Sequence, residues 1–295
     1  MEVNEAHVPR ILTSFFYWRT RDLDDLIAKS FTQVKPDIFV DSGAFTAFRQ
    51  SLVIDVNEYI EWVKKWKHVV TVYANLDVIS SPKRTARNLD IIEAAGLKPL
   101  PIFHAGAPYR LFEELIDRYD YVAVGGVAKI HGKQNKMFKF LHRVFKASEG
   151  KAVLHAFGVT DIDFLKLFPW YSTDSSSWLS GIRYGRLRIW DPWRASFHTI
   201  ILRQPKTVYR HRKVFEYYDQ DWKQYAYPDK YSGPVQQMVE ISVQSHKEME
   251  MWLREKHGEV PYRGDVGIKV YLTNTVAMYM KDMDKVLITH FESKE

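Results

Sequence analysis

The sequence predicts an α/β fold: a (β/α)8 TIM-type barrel followed by a basic, mainly helical C-terminal part. Three observations predict it. Short apolar runs alternate with amphipathic stretches from residue 11 to about 175. None of these runs opens into the glycine fingerprint of a dinucleotide-binding crossover. Several of the runs end in a carboxylate, a histidine or a pair of glycines. Such alternation builds a parallel sheet with helical crossovers, and repeated units without the fingerprint favour a barrel over an open doubly wound sheet.

Taken in order, "ILTSFFYW" (11–18) reads as a strand and "DLDDLIAKSF" (22–31) as a helix. "DIFV" (37–40) is a strand, "VNEYIEWVKKW" (56–66) a helix and "VVTVYANLD" (69–77) a strand. "SPKRTARNLDIIEAAG" (81–96) is a helix, with Ser-Pro at its start and Gly at its end. The strand "KPLPIFHAG" (98–106) precedes the helix "PYRLFEELIDRY" (108–119), and "YVAVGGVA" (121–128) precedes "NKMFKFLHRVFKAS" (135–148). "AVLHAFGV" (152–159) is a strand, "DIDFLKLF" (161–168) a short helix and "YSTDSSS" (171–177) a seventh strand end. After residue 180 the rhythm breaks into a basic, aromatic segment reaching about 231, followed by two helices in 235–257 and 266–283. The expected division is a catalytic barrel at 1–190, with nucleic-acid contacts and barrel packing at 191–295.

Composition narrows the partners. The formal net charge is +6 and 15% of residues are aromatic, which points to a polyanionic partner, nucleic acid first; the alternative is a mildly basic enzyme with none. The chain has no cysteine, so disulfides and thiolate metal sites are excluded and a reducing compartment is expected. "MEVNEAHVPR" carries acids and no long apolar core, so no signal peptide is expected. No apolar run approaches the ~18 residues of a membrane span, so no membrane partner is expected.

In a barrel, active-site groups come from the C-terminal ends of several strands. Those ends carry Asp41, Asp77, His104, Gly125-Gly126, the stretch from His155 to Gly158, and Asp174. Any one of the three aspartates reads most simply as a helix cap. Three together, with two glycines and two aromatics, read as a site.

The motifs "DSGAF" (41–45), "NLDVI" (75–79), "PIFHAG" (101–106), "VGGVA" (124–128), "HAFGV" (155–159) and "TDSSS" (173–177) occur in this order over residues 37 to 190. In that order and strand context they resemble motifs of the tRNA-guanine transglycosylase superfamily. The resemblance implies a (β/α)8 barrel that exchanges a guanine for a 7-deazaguanine base without cutting the strand. It implies that Asp174 is the nucleophile at C1′ and Asp41 the general base. It implies that Asp77 reads the N1 and N2 protons of the base and that Gly125 and Gly126 donate from their backbone to O6. Phe45 matches an aromatic stacked on the purine, and Phe157 a residue covering its other face. His104 stands where the family has Gln. Ser175 to Ser177 are candidates to hold Asp174 by hydrogen bonds, or form an ordinary turn.

The chemistry fits these roles. Breaking an N-glycosidic bond develops positive charge on the sugar, which a close carboxylate stabilises and can trap. A carboxylate accepts both donors of a guanine edge, glycines admit close backbone approach, and aromatic faces suit a base drawn from its stack.

The chain departs from the tRNA enzymes in one respect: without cysteine it cannot carry their zinc subdomain. The corresponding stretch, 183–213, holds nine Arg or Lys against one acid, Asp191, with interleaved Tyr184, Trp190, Trp193, Phe197 and Tyr209. Arg183, Arg186, Arg210, Arg212 and Lys213 are the candidate phosphate contacts here; the alternative is a solvated loop over a Trp-containing core. A second basic element, Lys136, Lys139, Arg143 and Lys146, shares one helix face opposite Met137, Phe140, Leu141 and Val144, and follows Lys129, His131 and Lys133.

These features look more like the zinc-free, phage-type DNA-modifying branch. The expected activity is therefore that of a DNA-guanine transglycosylase, a pentosyltransferase inserting a 7-deazaguanine such as preQ0, with no metal or cofactor. Its expected location is the cytoplasm, the host's if the protein is phage-encoded. The rivals are a zinc-free tRNA transglycosylase, an N-glycosidase releasing the base to water, and a non-catalytic nucleic-acid-binding barrel.

Overall fold

The computed structural model describes residues 8–31, 34–79, 81–127, 134–159, 161–230 and 234–273. Its first part runs β1 (Arg10–Ser14), α1 (Phe15–Trp18), α2 (Leu23–Ser30), β2 (Asp37–Asp41), α3 (Ala44–Arg49), α4 (Val56–Trp66), β3 (Val72–Tyr73) and α5 (Pro82–Ala94). Then follow β4 (Ile102–His104), α6 (Tyr109–Arg118), β5 (Tyr121–Gly125), α7 (Gln134–Ser148), β6 (Val153–Ala156), α8 (Ile162–Leu167) and β7 (Ser172–Ser175). Past β7 come α9 (Ser180–Tyr184), β8 (Arg186–Asp191), β9 (Ser196–Ile201), α10 (Pro205–Arg210), α11 (Arg212–Tyr217) and α12 (Trp222–Ala226). The last elements described are α13 (Pro234–His257), β10 (Val260–Tyr262), β11 (Asp265–Gly267) and β12 (Lys269–Thr273).

Eight strands form one sheet in the order β3-β2-β1-β12-β7-β6-β5-β4, and every neighbouring pair is parallel. At the two ends of that order a parallel bridge joins Ala74, beyond β3, to Leu100, ahead of β4. The sheet is curled and the architecture is TIM-like, as the alternation of runs predicts.

The sequence reading errs in three places. The strand expected over 11–18 stops at Ser14, and Phe15–Trp18 turn into a helix that buries Phe15 and Trp18. The helix expected over 266–283 is instead, as far as residue 273, the short β11 and then β12; residues 274–283 lie outside the described residues. β12 fits between β7 and β1 and supplies the eighth strand, so the division expected at residue 190 separates seven strands of one sheet from the eighth. The part beyond β7 is also less helical than expected: β8 and β9 form an antiparallel hairpin, and β10 and β11 form another.

The period-two alternation of the strands sorts residues to the two faces. On β2, Ile38 and Val40 join the core under the flanking helices, while Phe39 joins Leu12, Ala123, Tyr171 and Tyr271 inside the curl. At the N-terminal end of the strands the interior is charged. Arg10 pairs with Glu250 at 2.6 Å, Lys269 lies 3.6 Å from Asp37, and Tyr271 donates to Asp37 at 3.0 Å. At the C-terminal end the same inward phase delivers Asp41, His104, Gly125, Phe157, Asp174 and Thr273. Outside, α4 is set by its Asp55 cap, which accepts from the Asn57 N–H at 2.7 Å, and by Tyr59, Ile60, Val63 and Trp66, which are buried at helical spacing.

Candidate active site

Asp41 is the last residue of β2, and the turn after it is built on Gly43. That glycine has φ +76, and a Cβ there would collide with Ser14 Oγ and the Phe16 side chain, so no other residue fits. Asp41 Oδ2 accepts from the Gly43 N–H at 3.1 Å, and Gly43 in turn is the N-cap of α3. Asp41 therefore shapes the turn as well as facing the rim. Burial raises its pKa to about 6 against the stabilising pull of the Gly43 N–H, and the negative charges of Asp174 and Asp77 raise it further.

Asp174 comes from β7 and is held from both sides. Its Oδ1 accepts from the Gly158 N–H at 3.2 Å and its Oδ2 accepts from the Thr273 hydroxyl at 3.0 Å. Its side chain keeps 15% exposure, a lip through which a substrate can arrive. Burial lifts this carboxyl to about 6 as well, against both hydrogen bonds. Beneath it, His155 is fully buried, and its desolvation lowers its pKa to about 3, so the ring is neutral.

Asp77 follows β3 and has both oxygens engaged. Oδ1 accepts from the Thr85 hydroxyl at 2.9 Å, and Oδ2 lies 3.1 Å from His104 Nε2 at the end of β4. A cavity of about 440 Å³ opens beside this pair, between α5 and α6, with Asp77, Thr85, His104 and Leu111 among its walls. It does not extend to Asp41 or Asp174. A ligand edge bound by Asp77 must displace His104 or share the carboxylate with it.

Gly125 ends β5, and a Cβ on it would lie 3.6 Å from His104 Nε2 and 3.7 Å from Phe157. Gly126 has φ +70, and a Cβ there would come within 3.2 Å of the Ala105 backbone. Phe157 is half-buried, with its ring edge-on to His155 at 4.4 Å and to Phe39 at 5.5 Å. Phe45, on α3, is 61% exposed and free to cover a flat ligand.

Ser175 and Ser177 do not hold Asp174. They bond to His246 of α13, at 3.1 and 3.3 Å. The His246 Nδ1–H donates to the Ser242 carbonyl at 2.7 Å, which leaves Nε2 as the acceptor for the two hydroxyls. Burial keeps this ring neutral, lowering its pKa to about 4. His246 thus pins the chain leaving β7. Neither Thr273 nor His246 was marked by any motif. Recognising 269–273 as a strand would have placed Thr273 on the rim.

The basic candidates divide. Lys136 and Lys139 stand exposed on α7, above buried Met137, Leu141 and Val144. Arg143 lies over the Tyr109 ring at 3.4 Å. Arg183 and Arg186 are exposed at the start of the first hairpin, and Arg210 and Lys213 on the helices after it. Arg212 lies over the Tyr209 ring at 4.5 Å. Lys129, His131 and Lys133 lie outside the described residues. Among the described residues no group of three or more His, Asp or Glu is placed to hold a metal ion, and no helix is long and apolar enough to cross a membrane.

No protein-family model matches the chain, and no curated protein sequence matches it.

Proposed function

We propose that this chain is a base-exchange transglycosylase with the (β/α)8 architecture, acting on guanine in DNA and installing a 7-deazaguanine base such as preQ0. The observation that carries the reading is that Asp41, Asp77 and Asp174 stand at or just after the C-terminal ends of β2, β3 and β7 of one parallel sheet. Two carboxyls raised to about 6 are mostly ionised just above neutral pH, as a nucleophile and a base must be, and keep the basicity a proton acceptor needs. The motif order supplies the substrate class.

In the first step an Asp174 oxygen attacks C1′, the C1′–N9 bond breaks, and its electron pair leaves with guanine N9, which takes a proton from solvent water. The Gly158 N–H and the Thr273 hydroxyl aim the carboxylate, and His246 fixes the strand end behind it. In the second step Asp41 accepts the N9 proton of the incoming base. N9 then attacks C1′ from the face guanine left, opposite Asp174, and the C1′–oxygen bond to Asp174 breaks, restoring the carboxylate. Two displacements retain the configuration. Asp77 reads the donor edge of either base, and Phe45 and Phe157 cover its faces.

The test is to incubate the protein with DNA or tRNA and candidate deazapurines, digest to nucleosides and identify them by mass. Deazaguanosine in DNA supports the reading. The same base in tRNA alone moves the substrate, and an abasic product makes the protein an N-glycosidase. No change in either polymer with any base removes the activity.

A further inference from the structure

The hairpin of β8 and β9 carries a feature that neither the carboxylate rim nor a generic basic surface explains. Its register sets Arg188 opposite Thr199 and Arg186 opposite Ile201, and residues two apart on a strand share a face. Arg186 and Arg188 therefore project side by side. Arg188 is half-buried, its guanidinium lies 4.8 Å over the Phe197 ring, and its buried Nε has no hydrogen-bond partner among the described residues. Burial lowers its pKa, and the charge of Asp161 opposes this shift. Asp161 is already the cap of α8, accepting from the Asp163 N–H at 3.0 Å, and is not within ion-pair distance of Arg188. A desolvated guanidinium beside a second cation, with no carboxylate paired to either among the described residues, is costly unless an anion completes it.

The space for one is present. A concavity of about 500 Å³ is lined by Ser180, Tyr184, Arg186, Arg188 and Thr199. The hydroxyls of Thr199 and Tyr184 are available as donors beside the two forks. Ser180 already donates to the Arg186 carbonyl at 2.7 Å and keeps the strand in place. Tyr184 is 72% exposed, a flat face on which an unpaired base can stack. The chain runs from β7, which carries Asp174, to Ser180 and Tyr184 on the wall of this concavity within ten residues.

We infer that this concavity is a phosphate site that grips a backbone phosphodiester of a single-stranded segment, close to the nucleotide whose base is exchanged. The phosphate chemistry rests on the two arginines; its relation to the exchanged base rests on the function proposed above. Two planar forks side by side, with hydroxyl donors beside them, suit a tetrahedral anion in a polymer.

The probe is a labelled single-stranded oligodeoxynucleotide with one central guanine, followed by fluorescence anisotropy across a salt series. Arg188→Met, which keeps the packing on Phe197, should weaken binding about tenfold or more and reduce the log–log salt slope by about 0.7. Neutral methylphosphonates flanking the guanine should weaken binding to the wild type by a similar factor, and to Arg188→Met much less. A folded Arg188→Met with wild-type affinity and slope overturns the site, as does equal methylphosphonate sensitivity in the two proteins. Should Arg188→Met fail to fold, the exposed pair Arg186→Met and Thr199→Val carries the same comparison with the same two outcomes. Base exchange is read on the same oligonucleotide. Exchange with Arg188-independent affinity removes the phosphate site and leaves the enzyme. Arg188-dependent affinity with no exchanged base leaves the phosphate site and removes the enzyme.

Discussion

His155 Nε2 lies 3.8 Å from Asp174 Oδ1, and this buried nitrogen has no hydrogen-bond partner among the described residues. The other ring nitrogen meets Ser172 Oγ at 2.7 Å, and the same Oγ meets the Tyr121 hydroxyl at 2.6 Å. Burial holds Tyr121 protonated. A tyrosine donating to Ser172, with Ser172 donating to Nδ1, leaves the proton on Nε2, pointing its dipole at the carboxylate. The distance is beyond a hydrogen bond, so His155 is a positioning residue that favours the ionised form of Asp174. His155→Phe should move the acid limb of the pH–rate profile to higher pH and slow turnover near neutrality by roughly three- to tenfold. An unmoved limb would show that the ring only fills space.

Burial of the Asp174 carboxyl has a stability consequence with a definite sign. This carboxyl titrates at about 6 in the folded protein against 3.8 ordinarily, so the folded state holds this proton to higher pH than the unfolded state does. The stability it contributes is complete below about pH 3.8 and is lost as the pH rises through about 6. Asp174→Asn should therefore abolish exchange while making the protein more stable at pH 7.5, by on the order of 1 kcal/mol. The gap should close as the pH falls toward 4. A variant that is inactive and also less stable at pH 7.5 would make Asp174 a structural hydrogen-bond hub.

Asp77 tests base choice. Its Oδ1 accepts from the Thr85 hydroxyl, and its Oδ2 lies 3.1 Å from His104 Nε2. Asp77→Asn puts a donor where guanine brings its own donors, and hydrogen-bonded sites reject such mismatches on the order of 10⁴-fold. Exchange kinetics with guanine as the leaving base check it; wild-type rates would place Asp77 outside the base pocket. His104→Gln should keep exchange and alter the affinity for the incoming base, because it changes the group that competes for Asp77.

Why the rim was legible and its supports were not follows from where each signal lies. Asp41, Asp77, His104, Gly125 and Asp174 each close or follow a run of apolar residues, and a run with a polar end can be read locally. The eighth strand could not. Lys269–Thr273 opens on a lysine and stands after an insertion that contains two hairpins and a 24-residue helix, so the alternation that marks the other strands is interrupted. With β12 unseen, Thr273 could not be placed beside Asp174. His246 was hidden for another reason. It lies mid-helix, 71 positions from the Ser175 hydroxyl it accepts from, and only tertiary packing brings the two together. The 11–18 run shows the opposite failure. Its aromatics satisfy a strand pattern, yet Phe15 stacks edge-on to Tyr59 and Trp62 of α4 at 5.1 and 5.5 Å, a contact that helical geometry delivers.

Asp41 presents two roles at once, and they separate by experiment. It accepts from the Gly43 N–H at 3.1 Å, which is what a turn-forming aspartate does, and losing such a bond costs about 1 kcal/mol with little effect on rate. It also titrates at about 6 beside two other carboxylates, which a turn does not require. Asp41→Asn keeps an oxygen for Gly43 and removes only the proton acceptor. In the mechanism proposed above, departure of guanine depends on Asp174, so the variant should still form the covalent deoxyribosyl adduct, visible as a shifted band on denaturing gels. Transfer to the incoming base needs a proton taken from N9, so the adduct should accumulate instead of turning over. The loss should be partly relieved at high pH, where more of the incoming base is already deprotonated. Raising the pH should leave Asp174→Asn inactive, because that variant lacks the adduct itself. Normal exchange by Asp41→Asn with only a lowered melting temperature would reduce Asp41 to a turn residue and leave the second half-reaction without a base.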